Sequence, residues 1–357
     1  MLSSVPAIPR LDILAIGDAV VDVIASCDDA FLGAHQLPKG SMQLIDQAAA
    51  DALYAAMGAA RESSGGSAAN SVAGIAAMGG RAGFVGQVAD DRLGRIFTRD
   101  MLALGVDFRT APVSSIAPTG RCLILVTPDA QRTMNTSPGA SHLLSVAAID
   151  PAQVASAAIL YLEGYLWGPA GPRAAMLKAV EIAHAAASEV AFTLSESVCI
   201  AGRRDDFAAM IDGGGVDLLF ANADEVRQLT GRTDLDAGLD ELAARVATLV
   251  VTRGAAGALA MEHGQRHDVA AAPVRQLVDT TGAGDLFAAG FLTARAPCAD
   301  RCLPRDGRAR CRRSDPGGWR APAASARSCG GGVIRRIATA RQRAVPRTPR
   351  PAFKCSG

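Results

Sequence analysis

Between residues 158 and 252, short β-branched-rich runs alternate with longer segments of helical periodicity, a pattern that few architectures accommodate. Residues 158–162, 190–194, 217–221 and 248–252 read as strands; 172–187, a segment opening at Ala223, and 235–246 read as helices. Strands joined through helices run parallel and are buried on both faces, so the expected fold is α/β, with helices on both sides of a mostly parallel sheet. Upstream, 11–16 and 20–24 read as strand, turn and further strand around Gly17-Asp18. Residues 46–57, 68–78 and 92–103 read as helices and 82–85 as a strand. Residues 121–126 and 132–136, joined through Pro128-Asp129, read as a hairpin. This early β material predicts a small lid, contributed by about 25–45 and 105–136.

Composition divides the chain in two. Residues 1–294 carry 20 Lys and Arg against 32 Asp and Glu, whereas 295–357 carry 16 against 3, so a net charge of +1 conceals two unlike segments. Cys298, Cys302, Cys311, Cys329 and Cys355 crowd the second segment, leaving Cys27, Cys122 and Cys199 to the first. A hydrophobic content of 49% supports a substantial core and excludes a fibrous or wholly disordered chain. Three scattered cysteines make no disulfide framework, no basic-then-apolar leader opens the sequence, and no apolar run approaches the ~20 residues of a bilayer span. A cytoplasmic protein without a membrane partner is expected. The acidic body argues against a nucleic-acid partner.

In open α/β sheets, ligands sit beyond the carboxyl ends of strands, which makes Gly17-Asp18, Asn222 and Arg253-Gly254 candidates by position. The strongest motif is Asp279-Thr280-Thr281-Gly282-Ala283-Gly284-Asp285, ahead of an apolar helix over 286–294. Its glycines let a ligand approach the backbone, and the unpaired N–H groups of a helix start attract an anion. A carboxylate at Asp285 could take a proton from a hydroxyl while those amides hold a transferring phosphoryl group. Equally, Asp285 could simply cap its helix. The segment is not a P-loop, and it lacks the third glycine of a dinucleotide fingerprint, which disfavours an oxidoreductase.

Ser64-Gly65-Gly66-Ser67-Ala68-Ala69-Asn70 opens a second small-residue helix. There a diglycine permits close approach and Asn70 can offer both donor and acceptor to a sugar hydroxyl, or the loop is an ordinary helix start. Asn222-Ala223-Asp224-Glu225 reads first as a capping box, and second as a pair able to steer hydrated Mg²⁺ and a phosphate. Asp18 and Asp22 lie in an apolar stretch where unpaired carboxylates are costly to bury; ribose hydroxyls would suit them. Arg132 reads as a solvated cation or a phosphate clamp. His35, His142, His184, His263 and His267 show no metal-ligand spacing and receive no role.

Taken together, the Gly65-Gly66-Ser67…Asn70 and Asp279…Asp285 motifs resemble the two signatures of the ribokinase-like (PfkB) family of carbohydrate and nucleoside kinases. Gly17-Asp18…Asp22 and Asn222…Glu225 stand in the expected order, over residues 11–294, with most likeness to the adenosine-kinase-like branch. The resemblance implies a three-layer α/β/α core with a β lid. It also implies Mg·ATP-dependent phosphorylation of a primary hydroxyl on a nucleoside, adenosine-like first, or on a sugar. By motif match, Asp285 would be the general base, and Gly282, Ala283 and Gly284 the anion hole. Asp18, Asp22, Gly65, Gly66 and Asn70 would hold the sugar, with Arg132 as a lid arginine. Asn222 and Glu225 would serve the Mg²⁺–phosphate region, Glu225 through water, while Thr252, Gly254 and Thr280 would border the nucleotide. Pairing of two copies through the lid stays open. A base at Asp285 requires a carboxylate that faces a cleft rather than bulk solvent.

From Arg295 onward, family likeness and composition fail together. The segment is rich in Arg, Pro, Gly and Cys and has no helical or strand period, as in Arg308-Ala309-Arg310-Cys311-Arg312-Arg313. Gaps of 3, 8, 17 and 25 residues between its cysteines do not suit zinc pairs, and Trp319 and Phe353 are few for an RNA-binding arm. The expectation is a disordered tail over 295–357, translated out of frame from a GC-rich gene; translating the encoding DNA in its other frames tests it. Loss of the family's last helices would weaken ATP binding, which makes a non-catalytic small-molecule binder the rival function.

Overall fold

Leu11–Ile16 shows how the core is built: Ile13 and Ala15 enter one apolar cluster while Leu14 and Ile16 enter another, all four at 0% exposure. Alternate side chains of a strand point to opposite faces, so a strand apolar at four successive positions must be covered on both. The computed structural model describes residues 11–114, 117–273 and 282–297. Nine described strands form the central sheet, in the order Gln265–Val269, Ala258–Glu262, Thr248–Thr252, Leu218–Asn222, Glu189–Thr193, Ala157–Glu163, Leu11–Ile16, Ala82–Val85, Asp107–Phe108. From Thr248–Thr252 to Asp107–Phe108 all pairings are parallel. The hairpin at the other edge is antiparallel.

Helices cover both faces, giving the three layers expected. Ser67–Ala77, Arg92–Ala103 and Ala283–Arg295 feed Val72, Ile75, Phe97, Met101, Ala289 and Phe291 into one cluster. Ala170–Ala185, Arg204–Asp212, Ala223–Thr230 and Leu235–Ala243 feed Met176, Phe207, Val226 and Leu239 into the other. The helices Ser67–Ala77 and Ala283–Arg295 approach closely at Gly74, where a Cβ would lie 3.0 Å from Leu286 and 3.1 Å from Ala289.

The lid is a five-stranded sheet, ordered Met42–Leu44, Arg132–Gly139, Thr119–Val126, Val20–Ser26, Arg61–Gly65. Its composition differs from the 25–45 and 105–136 expected. Val20–Ser26 leaves the central sheet after Gly17-Asp18 and joins the lid, while Asp107–Phe108 stays at the edge of the central sheet. The hairpin at 121–136 is present, with three further residues on its return strand. Arg61–Gly65 was not expected, because an edge strand reading Arg-Glu-Ser-Ser-Gly has no apolar alternation. The helix Gln47–Ala56 covers the back of the lid through Ala50 and Leu53.

The helix Ala283–Arg295 runs one residue past the boundary expected at 294. Arg295 closes the helix Ala283–Arg295 by binding Glu189 through Nε at 2.8 Å and Glu262 through Nη1 at 2.9 Å, and the following Ala296 is buried. Beyond Pro297 the expected tail lies outside the described residues.

Candidate active site

Two helix starts meet at the carboxyl end of the central sheet. Gly282 takes a left-handed conformation (φ 70°) and opens the helix Ala283–Arg295, and as a glycine it brings no side chain to cap it. Asp285 sits in its first turn, but its carboxylate turns across to the other helix. Ser67 Oγ donates to Oδ1 at 2.7 Å, and Asn70 Nδ2 donates to Oδ2 at 3.1 Å. Ser71 Oγ donates to the Asp285 carbonyl at 3.2 Å. The bonds of this carboxylate therefore join two motifs some 215 residues apart, which helix capping would not do. Burial raises the Asp285 pKa, opposed by the Ser67 and Asn70 hydrogen bonds.

The other carboxylates of the sequence motifs gather at the same place. Asp22 pairs across the lid with Ser63 on one side and Cys122 on the other. Burial pushes its pKa up to about 7, helped by the nearby Asp285 charge and opposed by Arg132. Gly65 is glycine because of Asp22: a Cβ there would stand 2.2 Å from Asp22 Oδ1. Gly66 has φ 98°, and a Cβ on it would lie 2.2 Å from the Asp18 carbonyl. Asp18 receives Ser141 Oγ at 2.7 Å, and burial raises its pKa against the pull of His142.

Sequence reasoning passed over Glu163. It ends the apolar strand Ala157–Glu163, is 0% exposed, and receives the backbone N–H of Asp18 at 2.5 Å and of Ala68 at 2.7 Å. It thus holds the Gly17-Asp18 turn and the start of the Asn70 helix together. Burial, followed by the Asp18 charge, raises its pKa well above the ordinary value. The signal was available, since a lone carboxylate ends a buried strand on the ligand side of the sheet. Ser67, Ser141 and His142 gave no comparable signal.

The remaining candidates lie along the same sheet edge. Asn222 and Thr252 are register partners ending adjacent parallel strands. Asn222 Oδ1 accepts from the Asp224 and Glu225 amides, while Glu225 accepts from the Asn222 amide at 2.8 Å and from its Nδ2 at 2.7 Å. The capping box is therefore complete. Burial lifts Glu225 to about 7, and Glu196 adds to the rise. No group of three or more His, Cys, Asp or Glu among the described residues is arranged to hold a metal ion. A Cβ on Gly254 or Gly284 would meet no described atom within 4 Å. Thr280 lies outside the described residues. No helix among the described residues is long and apolar enough to cross a membrane.

A three-layer sheet with a β lid, and two glycine-led helix starts converging on one carboxylate, define a phosphotransferase of the sugar and nucleoside kinase class. The chain belongs to the pfkB family of carbohydrate kinases, whose family model matches residues 40–300. It is 28% identical to a fructokinase of Klebsiella pneumoniae over 263 residues, 72% of this chain and 85% of that one. Among solved structures it is similar to a probable sugar kinase from Rhizobium etli (43% identity, TM-score 0.76). It is also similar to adenosine kinase from Sinorhizobium meliloti (45% identity, TM-score 0.75). Each of these two comparisons covers 80% of this chain and 87% of the other.

Proposed function

We propose that the protein transfers the γ-phosphoryl group of ATP to a primary hydroxyl of a nucleoside, adenosine-like first, with a sugar as the alternative acceptor within the same family. The observation that carries this reading is the Asp285 carboxylate, part-buried at a glycine-led helix start and aimed by Ser67 and Asn70. Its raised pKa makes it a better proton acceptor than a surface carboxylate. The acceptor hydroxyl gives its proton to Asp285 as its oxygen bonds the phosphorus and the bond to the ADP oxygen breaks. The amides of Gly282, Ala283 and Gly284 would face the charge on the moving phosphoryl group, and a Cβ on Gly284 would meet no described atom within 4 Å. Asp18, Asp22 and Asn70 receive and donate hydrogen bonds to the sugar hydroxyls, with Gly65 and Gly66 keeping the backbone clear and Arg132 balancing the charge of Asp22.

Asn222 and Glu225 fit a hydrated Mg²⁺ better than direct ligation, because both Glu225 oxygens already accept bonds from Asn222. When bound, the ion would neutralise charge on the transferred group. Thr252, Gly254 and Thr280 would border the nucleotide. Closing the lid over the cleft would exclude water and limit hydrolysis. The nucleoside preference draws on the 45% identity to an adenosine kinase. A coupled assay with Mg·ATP against adenosine, other nucleosides, fructose and ribose tests it. Preferred turnover of adenosine supports the reading, and turnover of fructose alone replaces the acceptor.

A further inference from the structure

The helix Arg92–Ala103 belongs to the central domain, yet it grips the edge strand of the lid at two points. Arg92 forms a two-bonded ion pair with Glu62, Nη1 to Oε2 at 2.6 Å and Nη2 to Oε1 at 2.7 Å. Tyr54, on the helix behind the lid, bonds both members of that pair. One turn from the other end of the Arg92 helix, Asp100 Oδ2 accepts the outward backbone N–H of Ser64 at 3.1 Å. An edge strand has one row of such groups without a strand partner, and Asp100 takes one of them.

The two gripped residues, Glu62 and Ser64, flank Ser63, and Ser63 is the register partner of Asp22. The N-cap of the same helix, Asp91, also holds Thr119–Val126, the lid strand on the other side of Val20–Ser26. Its Oδ2 accepts the Thr119 amide at 2.8 Å and its Oδ1 the Thr119 hydroxyl at 2.7 Å. We infer that Arg92 and Asp100 are positioning residues: through Glu62 and Ser64 they fix the height of Asp22 over Asp285, and so set substrate affinity without touching substrate.

The Arg92–Glu62 pair is well suited to adjustment. The Arg92 side chain is 57% exposed and that of Glu62 is 17% exposed, so salt weakens the pair while its bidentate geometry keeps it selective. Like the assignment of Asp22, the inference rests on the proposed function, and its test separates the two.

Two measurements on the full chain decide it. The first needs no ligand: amide hydrogen exchange in Arg92→Ala, with Arg92→Lys and the exchanged pair Arg92→Glu/Glu62→Arg beside it. Faster exchange over 20–26 and 61–65, with the strands Ala157–Glu163 and Leu218–Asn222 unchanged and protection regained in the exchanged pair, supports the grip. Unchanged exchange at 61–65 overturns it, and so does a loss spread evenly over both sheets, which marks mere destabilisation. The second is a calorimetric double-mutant cycle with adenosine. Arg92→Ala should raise Kd about three- to tenfold, and should add nothing further in an Asp22→Asn background. If Asp22→Asn weakens binding but Arg92→Ala does not, the positioning role fails alone. If Asp22→Asn leaves Kd unchanged, the assignment of Asp22 fails and this inference falls with it, while the exchange data still report on the grip.

Discussion

Asn70 Nδ2 donates to Asp285 Oδ2 at 3.1 Å, and this bond joins the first turns of two helices that start 216 residues apart in sequence. The helix axes can come this close because Gly74 gives no side chain at their crossing. Asn70 should therefore orient Asp285 as well as meet a sugar hydroxyl. Replacing Asn70 by Ala is expected to lower kcat about tenfold and to raise KM, since it removes one hydrogen bond to a charged group and one substrate contact. Steady-state kinetics on purified variants checks this, and a pure KM effect would assign Asn70 to the substrate alone.

The raised pKa of Asp22, about 7, gives a signed pH dependence. An acceptor of hydroxyl protons must be ionised, so adenosine affinity should fall as pH drops below 7, by up to tenfold per pH unit. For folding the sign is reversed. A carboxyl with a raised folded pKa binds more protons in the native state, so its contribution to stability is present at low pH. That contribution is lost as pH rises from the ordinary carboxylate range through about 7. Asp22→Asn should flatten the binding profile and raise the melting temperature at pH 8, readable by calorimetry and thermal denaturation.

The two adjacent glycines should fail differently. Gly66→Ala meets the Asp18 carbonyl and holds an L-residue at φ 98°, so it is expected to cost about 2–3 kcal/mol of stability in urea denaturation. Gly65→Ala meets the carboxylate of Asp22 rather than backbone, so it should spare more of the fold and weaken substrate binding.

Arg295 offers a test at the opposite end of the Asp285 helix. It binds Glu189 and Glu262, whose side chains are 23% and 17% exposed. Arg295→Met leaves both carboxylates without this partner, and should cost about 2–4 kcal/mol in urea denaturation.

The parts of this fold that were legible in sequence are those where burial writes a period. Ala82–Val85, Arg92–Ala103 and Thr248–Thr252 fall where the pattern places them. Edge strands were not legible. Gln265–Val269 reads Gln-Arg-His-Asp-Val and Arg61–Gly65 is equally polar, because one side of each meets solvent and pairing alone holds them. The turn at Gly17-Asp18 was visible, but the sheet that received the following strand was not, since β propensity does not name a partner. In the site, glycines and carboxylates carried the signal, and the structure brings Asp18, Asp22, Gly65, Gly66, Asn70 and Asp285 together. Glu163 could be seen as a lone carboxylate at a strand end, but its work of binding two backbone amides from distant turns exists only once the strands are side by side.

The proton acceptor is the centre of the account, and Asp285→Asn tests it most directly. The amide keeps the size of the side chain and a hydrogen bond to Asn70 or Ser67, so adenosine Kd by calorimetry should stay within about threefold. The kcat for phosphorylation with Mg·ATP should fall by about 10²–10⁴. A variant that turns over at the rate of the original chain would contradict the assignment of Asp285 as the base.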